Sequence, residues 1–537
     1  MSITRNIIRR NLFRDSVQMM LLSQELRKQQ GVLDAAIVMG TELNKDTLLR
    51  CGLLTNDGAN AGESDTLISI TCKDESTLSE AIRKAELLLL QQPNLAKSDY
   101  SSIEDALHSF PHANMAALSI PGRHVKTLAT KLIDRGLNVF LFSDHVPLDD
   151  EIALKKLAIQ NKVLFMGPEA GTSIINGTVL GFGNRIRSGN IGIIGASGTG
   201  IQESTVLYHL CGSGITHAIG VGGRDMKKQV GGLMTLQAMA AFEEESTIET
   251  VLVVSKPVER EMRETIVDTI RALSKKNYVL CLIGNKEQTF DTPQIQFAKS
   301  VQSAVLKTLK KMDSQRHKSA IQKFKSDSHS TLTFIKALSA SLPSRQRYIR
   351  GLFAGGTLCY ESLAILEDIV GRVHSNLTGD KKYHISGNVK KGQYHALIDY
   401  GDEEYTAARP HPIIDPSIRI ASLMEEANDP VVAVIIMDII AGYSVAANNI
   451  EQHAEAIRKA IELAGKQNRT LSIFTYLCGT ENDISESDMQ LLRDSGAQTF
   501  TSNALMSIAA GLLVKKDMPV IRLNRIMRDY LGDGVVF

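Results

Sequence analysis

The sequence predicts an α/β protein made of several doubly wound parallel-sheet domains. Three observations predict it. Short apolar runs alternate with helical patterns along nearly all of the 537 residues; several runs stop at glycine-rich turns that open helices; and the alternation pauses at a polar stretch, Met312–Ser330, then restarts. Such alternation means βαβ units, with parallel strands and helices on both sheet faces. It also places function at the carboxyl ends of the strands. The length is enough for three or four domains.

In chain order, Met1 to Arg14 is basic, but Asp15, Gln18, Ser23 and Gln24 break up the apolar residues beyond it, so it is not a secretory signal. Arg9 to Gly40 reads as helix, then strand. Strands are expected at Ala36–Met39 and Leu67–Thr71, within an N-terminal α/β domain over 1–110 that ends near the polar segment Pro93–Ser101. Ala116–Ile120, Val139–Phe142 and Val163–Met166, with the amphipathic Ile152–Gln160, form a second domain over 111–187. A third, over 188–311, has strands at Ile191–Ile194, Ile215–Ile219, Val251–Val254 and Val279–Ile283, and a helix at Glu261–Leu273. Residues 312–345 are a polar linker or exposed helix. The final domain, 346–537, has strands at Ile349–Phe353, His395–Asp399, Val432–Asp438, Ile473–Tyr476 and Thr499–Thr501.

Lys plus Arg is 60 and Asp plus Glu is 59, a net charge of +1, with no long basic run. That argues against nucleic acid or an anionic membrane as partner. No apolar stretch reaches the length of a membrane span, so a soluble, cytoplasmic protein is expected. The six cysteines are dispersed without a C-x-x-C pair, so zinc and redox motifs, and a metal site, are not expected.

The most informative stretch is Asn190-Ile-Gly-Ile-Ile-Gly-Ala-Ser-Gly-Thr-Gly-Ile-Gln-Glu203. A buried strand turns through Gly195, Ser197, Gly198, Thr199 and Gly200 into a helix. Free backbone N–H groups at that helix start make a site for a phosphate or carboxylate; the plainer reading is an ordinary βα turn. Gly220-Val-Gly-Gly-Arg-Asp225 comes after the next strand and adds Gly222, Gly223 and Arg224. Two such turns on successive strands suggest a ligand crevice. Lys256 stands just beyond the strand Val251–Val254, where it neutralises an anion or faces solvent. Leu352-Phe-Ala-Gly-Gly-Thr357 repeats the logic in the second half, with Gly355, Gly356 and Thr357 as binding residues or Thr357 as a helix cap alone. Tyr400 to Asp415 is a stiff loop of carboxylates with Arg409 and His411. Pro410 and Pro412 hold His411 extended. Arg409 has the fork suited to a carboxylate or phosphate, and Asp438 ends a fully apolar run. Arg409, His411 and Asp438 are the catalytic candidates, expected to share one crevice with Gly355 and Gly356; the plainer reading is a hydrated loop with Asp415 as a helix cap.

The order of these pieces resembles the succinyl-CoA synthetase superfamily and, within it, the FdrA family of acyl-CoA-synthetase-like proteins. Ala113 to about Lys310 is similar to the synthetase α subunit. Phe165-Met-Gly-Pro-Glu-Ala-Gly-Thr172, Gly192-Ile-Ile-Gly-Ala-Ser-Gly-Thr199 and Gly220-Val-Gly-Gly-Arg-Asp225 stand at its glycine turns. Ile349 to about Gly465 is similar to the carboxyl-terminal ligase domain of the β subunit. The resemblance implies a Rossmann-like CoA-binding-type domain (111–187) and two flavodoxin-like ligase-type domains.

Three departures qualify it. The synthetases relay phosphate through a histidine in a Gly-His-Ala loop, whereas this chain has no histidine between His217 and His317 and reads Gly284-Asn-Lys-Glu-Gln288 there. No nucleotide-grasp domain is apparent. The CoA-gripping glycine turn is missing ahead of Ala113, so CoA is a doubtful cofactor. The resemblance implies a subunit of a carbamoyl- or acyl-transferase complex, oxamate carbamoyltransferase-like and linked to purine and allantoin breakdown. Its ligand would be a small anion, carbamoyl phosphate, an acyl phosphate or a small carboxylate, and it would work with partner subunits. The alternatives are a succinate-CoA ligase-like synthetase completed by partners, and a catalytically silent scaffold.

Overall fold

The computed structural model describes residues 2–10, 12, 16–90, 100, 102–273, 275–285, 291–385, 394–406, 410–446 and 448–535. These form two units: Met1–Ala113 with Glu403–His411, and Asn114–Asp402 with Pro412–Phe537.

The smaller unit begins with β1 (Ile3–Arg9), α1 (Ser16–Arg27), β2 (Val32–Met39), α2 (Glu42–Arg50), α3 (Asn56–Ala59), β3 (Thr66–Cys72), α4 (Glu75–Leu90) and α5 (Ile103–Ser109). Its sheet has the order β1-β3-β2, and both pairings are antiparallel. This corrects the expected parallel arrangement. Apolar runs do not encode strand direction. β3 is buried along almost its whole length, so it takes the centre, between two strands that run against it. Leu26, Ile37, Ile68, Ile70 and Leu78 pack together in one core cluster; Leu48, Leu53 and Leu67 pack in another. β1 lies in the basic start, ahead of the first strand expected. Buried Asn6 fixes it, donating to Leu53 O at 2.8 Å and to Ser69 Oγ at 2.9 Å.

The larger unit opens with β4 (Met115–Leu118), α6 (Gly122–Ile133), β5 (Asn138–Leu141), α7 (Leu148–Gln160) and β6 (Phe165–Met166), a parallel three-stranded sheet. A hairpin of β7 (Thr172–Ile175) and β8 (Thr178–Gly181) comes next. It turns at Asn176 and Gly177, with φ of 47° and 79°, the left-handed pair a tight hairpin needs.

The first flavodoxin-like half comprises β9 (Ser188–Gly195), α8 (Gly198–Leu210), β10 (Ile215–Gly220), α9 (Leu233–Glu244), β11 (Thr250–Ser255), α10 (Arg260–Leu273), β12 (Asn277–Leu282), β13 (Ile295–Phe297) and α11 (Val301–Met312). The sheet order is β13-β12-β11-β9-β10-β7-β8. α12 (Ser314–Ser341) then spans the polar stretch as one long helix that buries Ala320, Phe324 and Ile335.

The second half comprises β14 (Tyr348–Phe353), α13 (Gly356–Val370), β15 (His374–Ser375), β16 (Ala396–Asp399), α14 (Glu403–Thr406, part of the smaller unit), α15 (Ser417–Ala427), β17 (Val432–Ile440), α16 (Asn449–Lys466), β18 (Ser472–Cys478), α17 (Glu486–Asp494), β19 (Gln498–Phe500), α18 (Asn503–Val514) and α19 (Val520–Leu531). Its order is β15-β16-β14-β17-β18-β19. In both halves the first long strand lies between the second and the third, so the switch points fall between β9 and β11 and between β14 and β17. A crevice on the successive turns of β9 and β10 had been expected, but β10 lies on the side of β9 away from that switch point. One continuous core joins the halves. Among the described residues, no helix is long and apolar enough to cross a membrane.

Candidate functional site

Each switch point carries a helix start. In the first half, Ala196 N–H donates to Val254 O at 3.2 Å, and Ser197 caps α8 by accepting from Gly200 N–H at 3.3 Å. Gly195 serves packing: a Cβ there would lie 2.4 Å from Ile201 Cγ1. In the second half, Ala354 and Gly355 N–H donate to the two oxygens of Asp438 at 2.8 and 2.7 Å, and α13 begins at Gly356.

These two helix starts meet. Thr357 Oγ1 donates to Ser197 Oγ. The methyl of Thr199 lies over Gly355, 2.9 Å from where a Cβ would stand, and Thr357 Cγ2 lies 3.1 Å from the equivalent point on Gly200. The first turn of a helix leaves N–H groups without intrahelical partners. Those of Gly198, Thr199, Gly356 and Thr357 have no acceptor among the described residues. Each helix start also carries roughly half a positive charge, so two abutting starts repel unless an anion lies between or beside them.

Lys256, just after β11, adds a full positive charge. Its Nζ stands 2.7 Å, and Asp399 Oδ2 stands 2.5 Å, from the Cβ that Gly356 lacks. Glycine at 356 therefore lets both groups come this close to the start of α13. Lys256 makes no hydrogen bond or ion pair among the described residues. Asp399 is 3% exposed. Its Oδ1 accepts from Gly401 N–H at 2.9 Å, and its backbone is clamped by Asn376 at 2.9 and 3.0 Å. Burial, opposed by Lys256, raises its pKa to about 6.

Asp438 is placed otherwise than a catalytic group. It is fully buried, both oxygens hold the β14–α13 turn, and Arg419 Nη2 reaches Oδ1 at 3.0 Å. Arg419 also donates to Leu352 O at 2.9 Å and to Asp438 O. Asp438 is thus a positioning residue for the turn that supplies Gly356 and Thr357.

Arg224 is likewise engaged in structure. Its Nε pairs with Glu151 at 2.9 Å and its Nη2 donates to Val146 O at 2.8 Å. Buried Lys155 joins Glu151 and Asp225, each at 2.8 Å. Gly222 has φ of 89°, and a Cβ there would meet Pro168 O at 2.5 Å. This turn therefore ties β10 to α7 and the Gly167-Pro168 segment. Gly223 is exposed, with open space around it.

Arg409 lies outside the described residues, as do residues 286–288 of the loop that begins at Gly284. His411 belongs to the smaller unit, so the site built at the two helix starts consists of the larger unit alone.

Sequence reasoning passed over Asp399 and Arg419. Asp399 ends an apolar strand, the same signal that singled out Asp438. It also passed over Glu203 and Glu361, each five residues into its helix. Both are fully buried. Val301 N–H and Asn503 Nδ2 each donate to Glu361 at 2.8 Å. Burial raises its pKa to about 7, and burial together with Glu361 holds Glu203 well above the usual carboxylate range.

Residues 186–275 match the CoA binding domain model, residues 352–513 the CoA-ligase model, and residues 1–104 a model described as AllF, heavy metal-associated domain. Among the described residues, no group of three or more His, Cys, Asp or Glu is placed to hold a metal ion. The α subunit 1 of the ADP-forming succinate–CoA ligase of Archaeoglobus fulgidus is 25% identical over 186 residues, 33% of this chain and 60% of that protein. Dinucleotide-forming acetyl-coenzyme A synthetase 1 of Ca. Korarchaeum cryptofilum, in complex with phosphate and ADP, is similar over 82% of this chain and 88% of its own, at 15% identity and a TM-score of 0.32. The uncharacterized protein YahF of Escherichia coli (strain K12) is 36% identical over 509 residues, 93% of this chain and 97% of that protein. The chain belongs to the family of YahF, within the succinyl-CoA synthetase superfamily.

Proposed function

We propose that this chain is a subunit of an acyl- or carbamoyl-transferring complex and that it holds the phosphate of a carbamoyl or acyl phosphate where α8 meets α13. The observation that carries the reading is the meeting of two helix starts, one from each half, beside Lys256. Gly198, Thr199, Gly356 and Thr357 offer N–H donors there, and Lys256 offers a charge that makes no hydrogen bond or ion pair among the described residues. Preorganised donors of this kind stabilise charge as it develops on a departing phosphate. Transfer from carbamoyl phosphate to an acceptor such as oxamate needs no phosphohistidine, and residues 284–288 supply no imidazole. Partner subunits are proposed because similar proteins are named as subunits of succinate–CoA ligase. An acyl-CoA synthetase completed by partners is the second reading, favoured by the CoA binding match over 186–275.

The test is thermal unfolding with carbamoyl phosphate, oxamate, CoA or ATP. A ligand at a hundred times its Kd stabilises by about 2.7 kcal/mol. Carbamoyl phosphate should stabilise the native chain, and Lys256→Met should not respond. Stabilisation by CoA and ATP alone would favour the synthetase, and no response to any of them a scaffold.

A further inference from the structure

Asp399 stands where a proton would have to go. Its side chain is nearly all buried, Oδ1 is held by Gly401 N–H, and Oδ2 lies against Gly356 at the start of α13 with no donor among the described residues. Lys256 Nζ lies against the same glycine. The pair makes no direct ion pair among the described residues, so Oδ2 and the ammonium each keep hydrogen-bonding capacity at the start of α13. Asn376 clamps the backbone of Asp399 on both sides, which fixes the direction of the carboxylate before any ligand arrives.

We infer that Asp399 is the general base of the transfer, taking a proton from a neutral nitrogen nucleophile, the primary amide of a small carboxylic acid. The inference rests on the proposed phosphate site at α8 and α13. The nitrogen lone pair forms the new C–N bond at the carbonyl carbon of carbamoyl phosphate. The N–H proton passes to Asp399 Oδ2. The bond from that carbon to the bridging oxygen of the phosphate breaks, its electron pair going to the oxygen, and phosphate leaves toward Lys256 and the helix N–H groups. Asp399 then returns its proton to the phosphate, so no other reactant is consumed.

The groups facing Asp399 set its proton affinity. Lys256 after β11 and Arg419 on α15 favour the carboxylate; Asp402 in its own loop and Asp438 on β17 oppose it; Cys359 on α13 lies beside it, a neutral thiol whose pKa burial raises. Burial outweighs the cations, so the carboxyl loses its proton at about pH 6. A base of that strength is mostly ionised at neutral pH yet strong enough to accept a proton.

The experiment uses the chain with its co-purifying partners, carbamoyl phosphate as donor and oxamate as acceptor. Asp399→Asn keeps the acceptor for Gly401 N–H and removes the base. It should bind carbamoyl phosphate as the native chain does, judged by thermal shift, and lose roughly 10²- to 10⁴-fold in kcat. The native complex should lose kcat on the acid side with a midpoint near pH 6, and that limb should vanish in the variant's residual activity. If Asp399→Asn retains native kcat and the same acid limb, Asp399 is not the base, while the phosphate site stands. If the native chain is not stabilised by carbamoyl phosphate, the phosphate site falls and the base falls with it. Should the variant fail to fold, the native profile decides: an acid limb near pH 6 supports the inference, and a flat profile from pH 5 to 7.5 overturns it.

Discussion

The β9–α8 turn and the β14–α13 turn occupy the same place in two sheets of the same strand order, yet they are held by different chemistry. In the first half a backbone carbonyl, Val254 O, receives Ala196 N–H. In the second half the Asp438 carboxylate receives Ala354 and Gly355 N–H, and buried Arg419 offsets its charge. The neutral arrangement leaves its neighbouring strand end free to present Lys256. The charged arrangement locks a turn whose cap residue, Gly355, has no side chain to do the capping. One half thus supplies the charge and the other a rigid donor surface, and the contact of Thr357 with Ser197 binds the two.

The largest expected effect tests that asymmetry directly. Asp438→Ala leaves Arg419 buried without its partner and should cost about 3–5 kcal/mol in denaturant unfolding. The matching first-half change, Val254→Ala, removes apolar volume only and should cost about 2 kcal/mol. Equal losses would mean that the second turn does not depend on its carboxylate.

The buried glutamates extend the comparison. Glu361 has two donors, whereas neither oxygen of Glu203 has a hydrogen-bond partner among the described residues. Burial lifts Glu361 from 4.5 to about 7. The folded state then holds a proton that the unfolded state releases, so this contribution is full below pH 4.5 and is lost as pH rises through about 7. The loss is on the order of 3 kcal/mol. Glu361→Gln should remove that slope from a series of chemical unfolding curves between pH 4.5 and 7, and Glu203→Gln should raise stability at pH 8. An unchanged slope in Glu361→Gln would assign the pH dependence elsewhere.

Ligand binding sharpens the question of whether both halves take part. Gly356→Ala places a methyl between Lys256 Nζ and Asp399 Oδ2, and Gly198→Val crowds Gly171 and Thr172 at the opposite helix start. Each should abolish the roughly 2.7 kcal/mol stabilisation expected with carbamoyl phosphate at a hundred times its Kd, leaving the unliganded midpoint within a few degrees of native. Loss in one variant alone would confine the anion to that half.

Much of this was legible in the sequence. Each expected strand appears, because period and glycine punctuation are local signals. The Asn176-Gly177 hairpin was legible too, since that dipeptide between β-forming residues is a strong hairpin signal, but the parallel reading of the region hid it. Strand direction in β1–β3 was not legible, because pairing partners are set by tertiary packing. Asp438 was found, but its role was not: a carboxylate at a strand end looks alike whether it faces a ligand or a neighbouring turn. Arg419 belongs to an amphipathic helix pattern, and nothing local marks it as buried. The meeting of Gly198–Gly200 with Gly355–Thr357 joins segments far apart in sequence and depends on how two sheets share a core. It repeats as Gly-Thr-x-x-x-Glu in both helices, a short match that carries little weight until the helices are seen together.

The smallest expected effect is none at all, and it separates the two halves from the synthetases they resemble. In those enzymes a histidine carries phosphate between sites; here residues 284–288 read Gly-Asn-Lys-Glu-Gln. Gly284 itself is described: a Cβ there would lie 2.5 Å from Tyr360 Cε1 and 3.2 Å from Pro257 Cγ, so the segment starts beside α13 and the residue after Lys256. A phosphoryl group reaching the helix starts would find N–H donors and an ammonium, which hold phosphate. It would find no imidazole in this segment to bond with it covalently. Incubation with γ-labelled ATP should therefore leave no acid-labile, base-stable phosphate on the chain, alone or with its partners. Stoichiometric labelling would mean that a histidine elsewhere enters the site, and the phosphate-holding role of Lys256 would then become one station of a relay.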